Sequence, residues 1–130
     1  KNVTLFKSSK FMNESGISIN QLMQYYKIKM EDVCIIHDDL DLNVGEVKVK
    51  FGGGHGGHNG LRSIIQQCSP DFSRIRMGIG HPNKQEVIDY VLSRPNKVDQ
   101  ETLNSAIFNA VEGIETIIDQ GIDEAMNQFN

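Results

Sequence analysis

Val33-Cys34-Ile35-Ile36-His37-Asp38-Asp39-Leu40-Asp41 opens as an unbroken apolar run and then turns abruptly acidic. A run that is apolar at odd and even positions alike has no solvent face, so it predicts a central strand buried on both sides. Working outward, strands and helices alternate. Upstream, Val3 and Leu5 share one face of an opening strand, and Ile19, Leu22, Met23 and Tyr26 form the stripe of an amphipathic helix. Ser18 with Gln21 makes a capping box for that helix. Downstream, Val47, Val49 and Phe51 alternate with Lys48 and Lys50, and Leu61, Ile64, Ile65 and Cys68 mark a second helix. Residues 74–79 alternate again, with Ile75, Met77 and Ile79 inward and Arg74 and Arg76 outward. Pro82 closes that strand, and a helix with Val87, Ile88, Val91 and Leu92 ends before Pro95. Residues 99–120 carry the longest stripe: Leu103, Ile107, Ala110, Val111, Ile114, Ile117 and Ile118. Gly121 breaks it, and Ile122, Ala125, Met126 and Phe129 mark a last helix. The expected fold is one α/β domain over residues 1–130, a layered, mixed, mostly parallel sheet flanked by helices. With no strand between them, the helices at 84–93 and 99–129 are expected to pack together.

Composition bounds this fold. A chain of 130 residues, 38% hydrophobic and 23% charged, suits a single globular domain and is not compositionally disordered. Its apolar runs are far shorter than a membrane span, and no basic-then-apolar signal segment opens it, so a soluble cytoplasmic protein is expected. Cys34 and Cys68 sit in apolar patterns and read as buried thiols of a reducing compartment. Charge is uneven: residues 1–97 hold all 13 basic residues and net +3, whereas 98–130 net −7. The overall balance argues weakly against a nucleic-acid partner, while the local pattern permits one. Asn2-Val3-Thr4-Leu5-Phe6 reads like the middle of a strand, which raises the expectation of a preceding segment.

Polar residues gather at three junctions: 11–16, 37–41 and the glycine-rich 52–60. In open α/β sheets ligands bind beyond the carboxyl ends of strands, which would bring all three together. Neighbours on a strand point to opposite faces, so Asp38 is better placed to orient a histidine from elsewhere than its neighbour His37. The competing reading of Asp38, Asp39 and Asp41 is a solvated acidic turn; their spacing fits no calcium loop. The glycines allow positive φ and close backbone approach, but match neither the phosphate-loop nor the dinucleotide spacing. His55 and His58 stand three apart, yet flanking glycines give no rigid helix to present them to zinc. Asn59 caps the next helix in one reading and turns its amide to a ligand in the other. Lys48, Lys50, Arg74 and Arg76 are either edge-protecting charges or a small phosphate patch. Asn13 alone looks like turn chemistry, and His81 before Pro82 like a turn histidine.

These junctions together resemble bacterial peptidyl-tRNA hydrolases. The matching residues are Phe11-Met12-Asn13-x-Ser15-Gly16, His37-Asp38-Asp39-Leu40-Asp41-Leu42, Gly52-Gly53-Gly54-His55-Gly56-Gly57-His58-Asn59-Gly60-Leu61 and Arg74-Ile75-Arg76-Met77-Gly78-Ile79-Gly80-His81-Pro82. Order and spacing agree along the whole chain. The resemblance implies hydrolysis of the ester between a peptide and the 3′ ribose of tRNA, without metal or cofactor. It implies that Asp38 and Asn59 serve catalysis, with Asp38 holding the histidine that activates water. Phe11, Met12, Asn13, His58 and Asn59 would meet substrate, and Lys48, Lys50, Arg74 and Arg76 would bind tRNA phosphate. The implied partner is peptidyl-tRNA alone, met by a monomer away from membranes.

One departure accompanies the match. The family's N-terminal segment, with an Asn-Pro-Gly turn and a Thr-Arg-His-Asn motif carrying the catalytic histidine, has no counterpart here. None of His37, His55, His58 and His81 lies in such a motif. The chain is therefore expected to be a C-terminal portion that lacks its general base, exposes an unpaired strand edge and is nearly inactive alone. The alternative is a non-catalytic RNA-binding form that uses the basic patch.

Overall fold

The computed structural model describes residues 2–7, 14–80 and 97–130. Its elements are α1 (Ser15–Tyr26), a single 3-10 turn (Met30–Asp32), β1 (Cys34–Asp39), β2 (Val47–Phe51), α2 (Asn59–Gln67), β3 (Ser73–Gly78), α3 (Lys97–Gln120) and α4 (Ile122–Phe129). The strands form one sheet in the order β1-β3-β2. Ser73 N–H bonds the Val33 carbonyl and Ile79 N–H that of Asp39, so β1 and β3 run parallel. Gly52 N–H bonds the Phe72 carbonyl and Gly78 N–H that of Glu46, so β2 and β3 run antiparallel. The α/β fold with a mixed sheet is as expected. The central strand is not: β3 lies between the others, and Ile36 of β1 is 49% exposed. An apolar run shows that burial is favourable, but it does not say which strand supplies the neighbour.

The helix of residues 84–93 and its packing lie outside the described residues, as do Phe11, Met12, Asn13 and His81. The chain divides into two compact units, Lys1–Cys34 with Phe51–Ser73, and Ile35–Lys50 with Arg74–Asn130.

In the first unit α1 packs on α2. Gly16 N–H, one of the first-turn donors without an intrahelical partner, donates to the Ser63 hydroxyl at 2.9 Å. That bond explains why α1 starts at Ser15, without a side-chain cap, and leaves Ser18 buried inside the helix instead of capping it. A side chain on Gly16 would drive into the Ser63 carbonyl. Gly16→Ala should therefore destabilise the fold by about 1–3 kcal/mol, the range for overpacking, read as a lower urea midpoint at unchanged slope. Leu61, Ile64 and Phe72 are buried in this unit. Tyr26 is exposed, so the α1 stripe stops short of it. No strand forms at residues 2–7, where Val3, Leu5 and Phe6 are exposed. A strand needs a partner edge, and these residues have none among those described.

In the second unit Val49 and Ile75 are buried on one sheet face, and a side chain at Gly113 of α3 would touch both of them and Phe129. The buried line of α3 is Ala106, Ala110, Gly113 and Thr116. Small residues let the helix axis approach the sheet closely. Ile107 and Val111, expected on the core stripe, are consequently displaced to the exposed flank. Gly121, at φ 96°, makes the break before α4 that a residue with a side chain would resist.

Both cysteines are free and partly buried. Burial pushes the Cys34 thiol up to about 11, which makes it an inert packing group. No helix among the described residues is long and apolar enough to cross a membrane.

Candidate functional site

The antiparallel register of β2 on β3 sets Lys48 across from Arg76, Lys50 across from Arg74, and Val49 across from Ile75. Like charges placed directly opposite one another repel. Lys48 and Lys50 are exposed and form no ion pair among the described residues. Arg74 requires a correction. Alternation directs it outward to solvent, yet it is only 2% exposed. Alternation assigns a side chain to a face, but whether that face is open depends on what covers it, and β3 is the central strand. Burial and the like charge of Arg76 both lower the Arg74 pKa, though a guanidinium stays cationic in any case. The accessible cationic group is therefore Lys48, Lys50 and Arg76.

Arg76 Nε donates to Asp39 Oδ2 at 2.8 Å, with the two side chains 25% and 14% exposed. The other carboxylate oxygen, Oδ1, accepts the N–H of Asp41 at 2.8 Å and shapes the turn after β1. Burial pushes the Asp39 carboxyl up. The Arg76 bond, the Asp41 N–H and the charges of Arg76 and His37 outweigh it and hold the carboxyl below its ordinary value. A carboxylate with a lowered folded pKa stabilises the fold fully above its unfolded value of about 3.9, and this contribution is lost as pH falls through the lowered value. Urea midpoints of wild type and Asp39→Asn should accordingly differ by a constant amount above about pH 5 and converge in stronger acid.

Asp38 is half-buried on β1. Its main-chain carbonyl accepts from His37 Nδ1 at 2.9 Å, so the neighbouring imidazole bonds the backbone of Asp38. His37 is itself buried, with Nε2 shielded from solvent.

At the glycine-rich junction, Gly56 and Gly57 adopt positive φ, and His55 Nδ1 accepts the Gly57 N–H at 2.9 Å. His58, and not Asn59, is the N-cap of α2, its Nδ1 accepting the Leu61 N–H at 3.2 Å. Asn59 is the first residue of the helix, exposed, and its amide bonds no other described residue.

The second unit holds Asp38, Lys48, Lys50 and Arg76, with Asp39 on the face of Arg76 and Asp38, by alternation, on the other, and the first unit holds His58 and Asn59. Phe11, Met12 and Asn13 lie outside the described residues. β2 runs antiparallel to β3, so the sheet is mixed and the rule for the carboxyl ends of parallel strands does not by itself extend to the junction after β2. Sequence reasoning misses the pairing of Asp39 with Arg76, since no local spacing signals a bond between residues 37 apart.

A mixed-sheet α/β protein with a cationic strand pair is the class that this geometry defines. A family model described as peptidyl-tRNA hydrolase matches residues 1–130. The peptidyl-tRNA hydrolase of Hahella chejuensis is 46% identical over 134 residues, covering 100% of this chain and 68% of that protein. That of Citrifermentans bemidjiense is 43% identical, covering 98% of this chain and 69% of its own length. The crystal structure of peptidyl-tRNA hydrolase from Acinetobacter baumannii superposes with a TM-score of 0.86 at 41% identity, covering 92% of this chain. The chain spans 62% of the length of that solved protein. It belongs to the peptidyl-tRNA hydrolase family.

Proposed function

We propose that the protein acts on peptidyl-tRNA, directing water at the ester that joins the peptide to the 3′ ribose. The observation that carries this reading is the cross-strand register that gathers Lys48, Lys50 and Arg76 into one cationic face. Such a face suits the backbone phosphates of tRNA, which set affinity and orientation.

Water attack on the ester needs a base with a free imidazole lone pair and a carboxylate to hold its other ring nitrogen. His55 and His58 spend the Nδ1 lone pair on backbone N–H groups, so the neutral ring carries its proton on Nε2 and cannot accept another there. His37 has the opposite tautomer but a shielded Nε2. The base is then an imidazole other than these three, oriented by Asp38. The family resemblance places none in this chain. Asn59, with an uncommitted amide, can hold substrate or water without titrating. Resemblance assigns Phe11, Met12, Asn13 and His58 to the same substrate.

The test is chemical rescue. Added imidazole should raise hydrolysis of peptidyl-tRNA above the protein-free control, and Asp38→Asn should abolish that rise. Equal stimulation of wild type and Asp38→Asn would remove Asp38 from the mechanism.

A further inference from the structure

The outer edge of β2 carries a contact that the tRNA reading does not use. In the ladder with β3, the main-chain groups of Glu46 and Gly52 face β3, and by alternation so do those of Lys48 and Lys50. The groups of Val49 point the other way, to the open edge. There the side-chain amide of Asn130 takes both: Val49 N–H donates to Oδ1 at 3.2 Å, and Nδ2 donates to the Val49 carbonyl at 2.8 Å. A side chain thus supplies one complete rung of an antiparallel ladder. Asn130 is itself held in place, since it ends α4 with its N–H on the Met126 carbonyl, and α4 is anchored by the fully buried Ala125.

We propose that Asn130 is a positioning residue for the cationic face, clasping β2 so that Lys48 and Lys50 are held side by side on one face. In the described sheet β2 lies at the edge, paired with β3 alone, and edge strands open locally more readily than central ones. Val49 lies between the two lysines, so pinning its peptide groups fixes both neighbouring Cα positions. The clasp adds no charge of its own. Its loss lowers the fraction of molecules ready to bind and leaves the number of phosphates neutralised unchanged.

This inference rests on the proposed binding of tRNA phosphate, and the experiment separates the two. Unacylated tRNA is titrated against wild type, Asn130→Ala, Lys48→Ala/Lys50→Ala and the triple variant, at several salt concentrations. Asn130→Ala should weaken binding by about three- to tenfold at an unchanged salt slope, as expected when two hydrogen bonds that preorganise a site are removed. In the background lacking both lysines the same substitution should have no further effect. Thermal denaturation establishes that Asn130→Ala is folded. If it is not, Asn130→Asp, which keeps the acceptor for the Val49 N–H and loses the donor, takes its place with the same expected weakening. Unchanged affinity overturns the inference, and so does an equal loss with and without the lysines. If the lysine pair itself leaves binding unchanged, the phosphate reading fails first.

Discussion

The 130-residue chain should hydrolyse peptidyl-tRNA about 10²- to 10⁴-fold more slowly than the Acinetobacter baumannii relative assayed beside it, the factor that a general base supplies. The physical reason is tautomeric for the three described histidines, and the family resemblance places the base at none of the chain's four. A backbone N–H is always a donor, so an imidazole nitrogen receiving one is unprotonated, and the neutral ring then keeps its proton on the other nitrogen. His55 and His58 are in that state. His37 donates from Nδ1 and keeps Nε2 away from solvent. His37→Gln and His55→Ala should leave the residual rate within about twofold, since neither ring could act as base. Turnover near that of the relative, lost on His37→Gln, would show that a histidine of this chain is the base after all.

Reversing the two strand lysines should have the second large effect. Lys48→Glu/Lys50→Glu should weaken tRNA binding on the order of 100-fold at about 50 mM salt, because attraction to two phosphates becomes repulsion. Stability should change little or improve. Each glutamate would face an arginine across the ladder, Arg76 and Arg74 respectively, and replace a like-charge pair by an opposite one. Tighter folding with weaker tRNA binding is the signature of charges kept for a ligand at some cost to the fold. A loss of both together would instead mean that the lysines hold the strand.

The two strands on which this rests are legible from alternation alone, because a period of two needs no knowledge of the partner. Residues 47–51 and 74–79 show it plainly, and the apolar stripe of α2 is equally local. What the sequence does not provide is anything set by a neighbour distant in the chain. Val3 and Leu5 alternate like a strand, yet no strand forms there and both side chains are exposed, because alternation names a face and supplies no partner edge. Arg74 alternates with Ile75 and is nevertheless buried, as its face is covered. Ser18 and Gln21 fit a capping box, yet the donor that matters at Gly16 is met by Ser63 from another helix. Asn59 suits a cap by residue type, but the imidazole of His58 stands one position earlier and takes the bond. Within the site, Asp38 and the lysines are visible as motifs. The Asp39–Arg76 pair and the Asn130 rung are not, since both join residues that only the folded sheet brings together.

The most direct test of the cationic strand pair is the slope of log affinity for tRNA against log salt concentration, measured for wild type and for Lys48→Ala/Lys50→Ala. Removing two phosphate-binding cations should reduce the magnitude of that slope by about 2, with the two lines converging toward high salt. Identical slopes would mean that no phosphate rests on these lysines, and that the protein holds its substrate by some other surface.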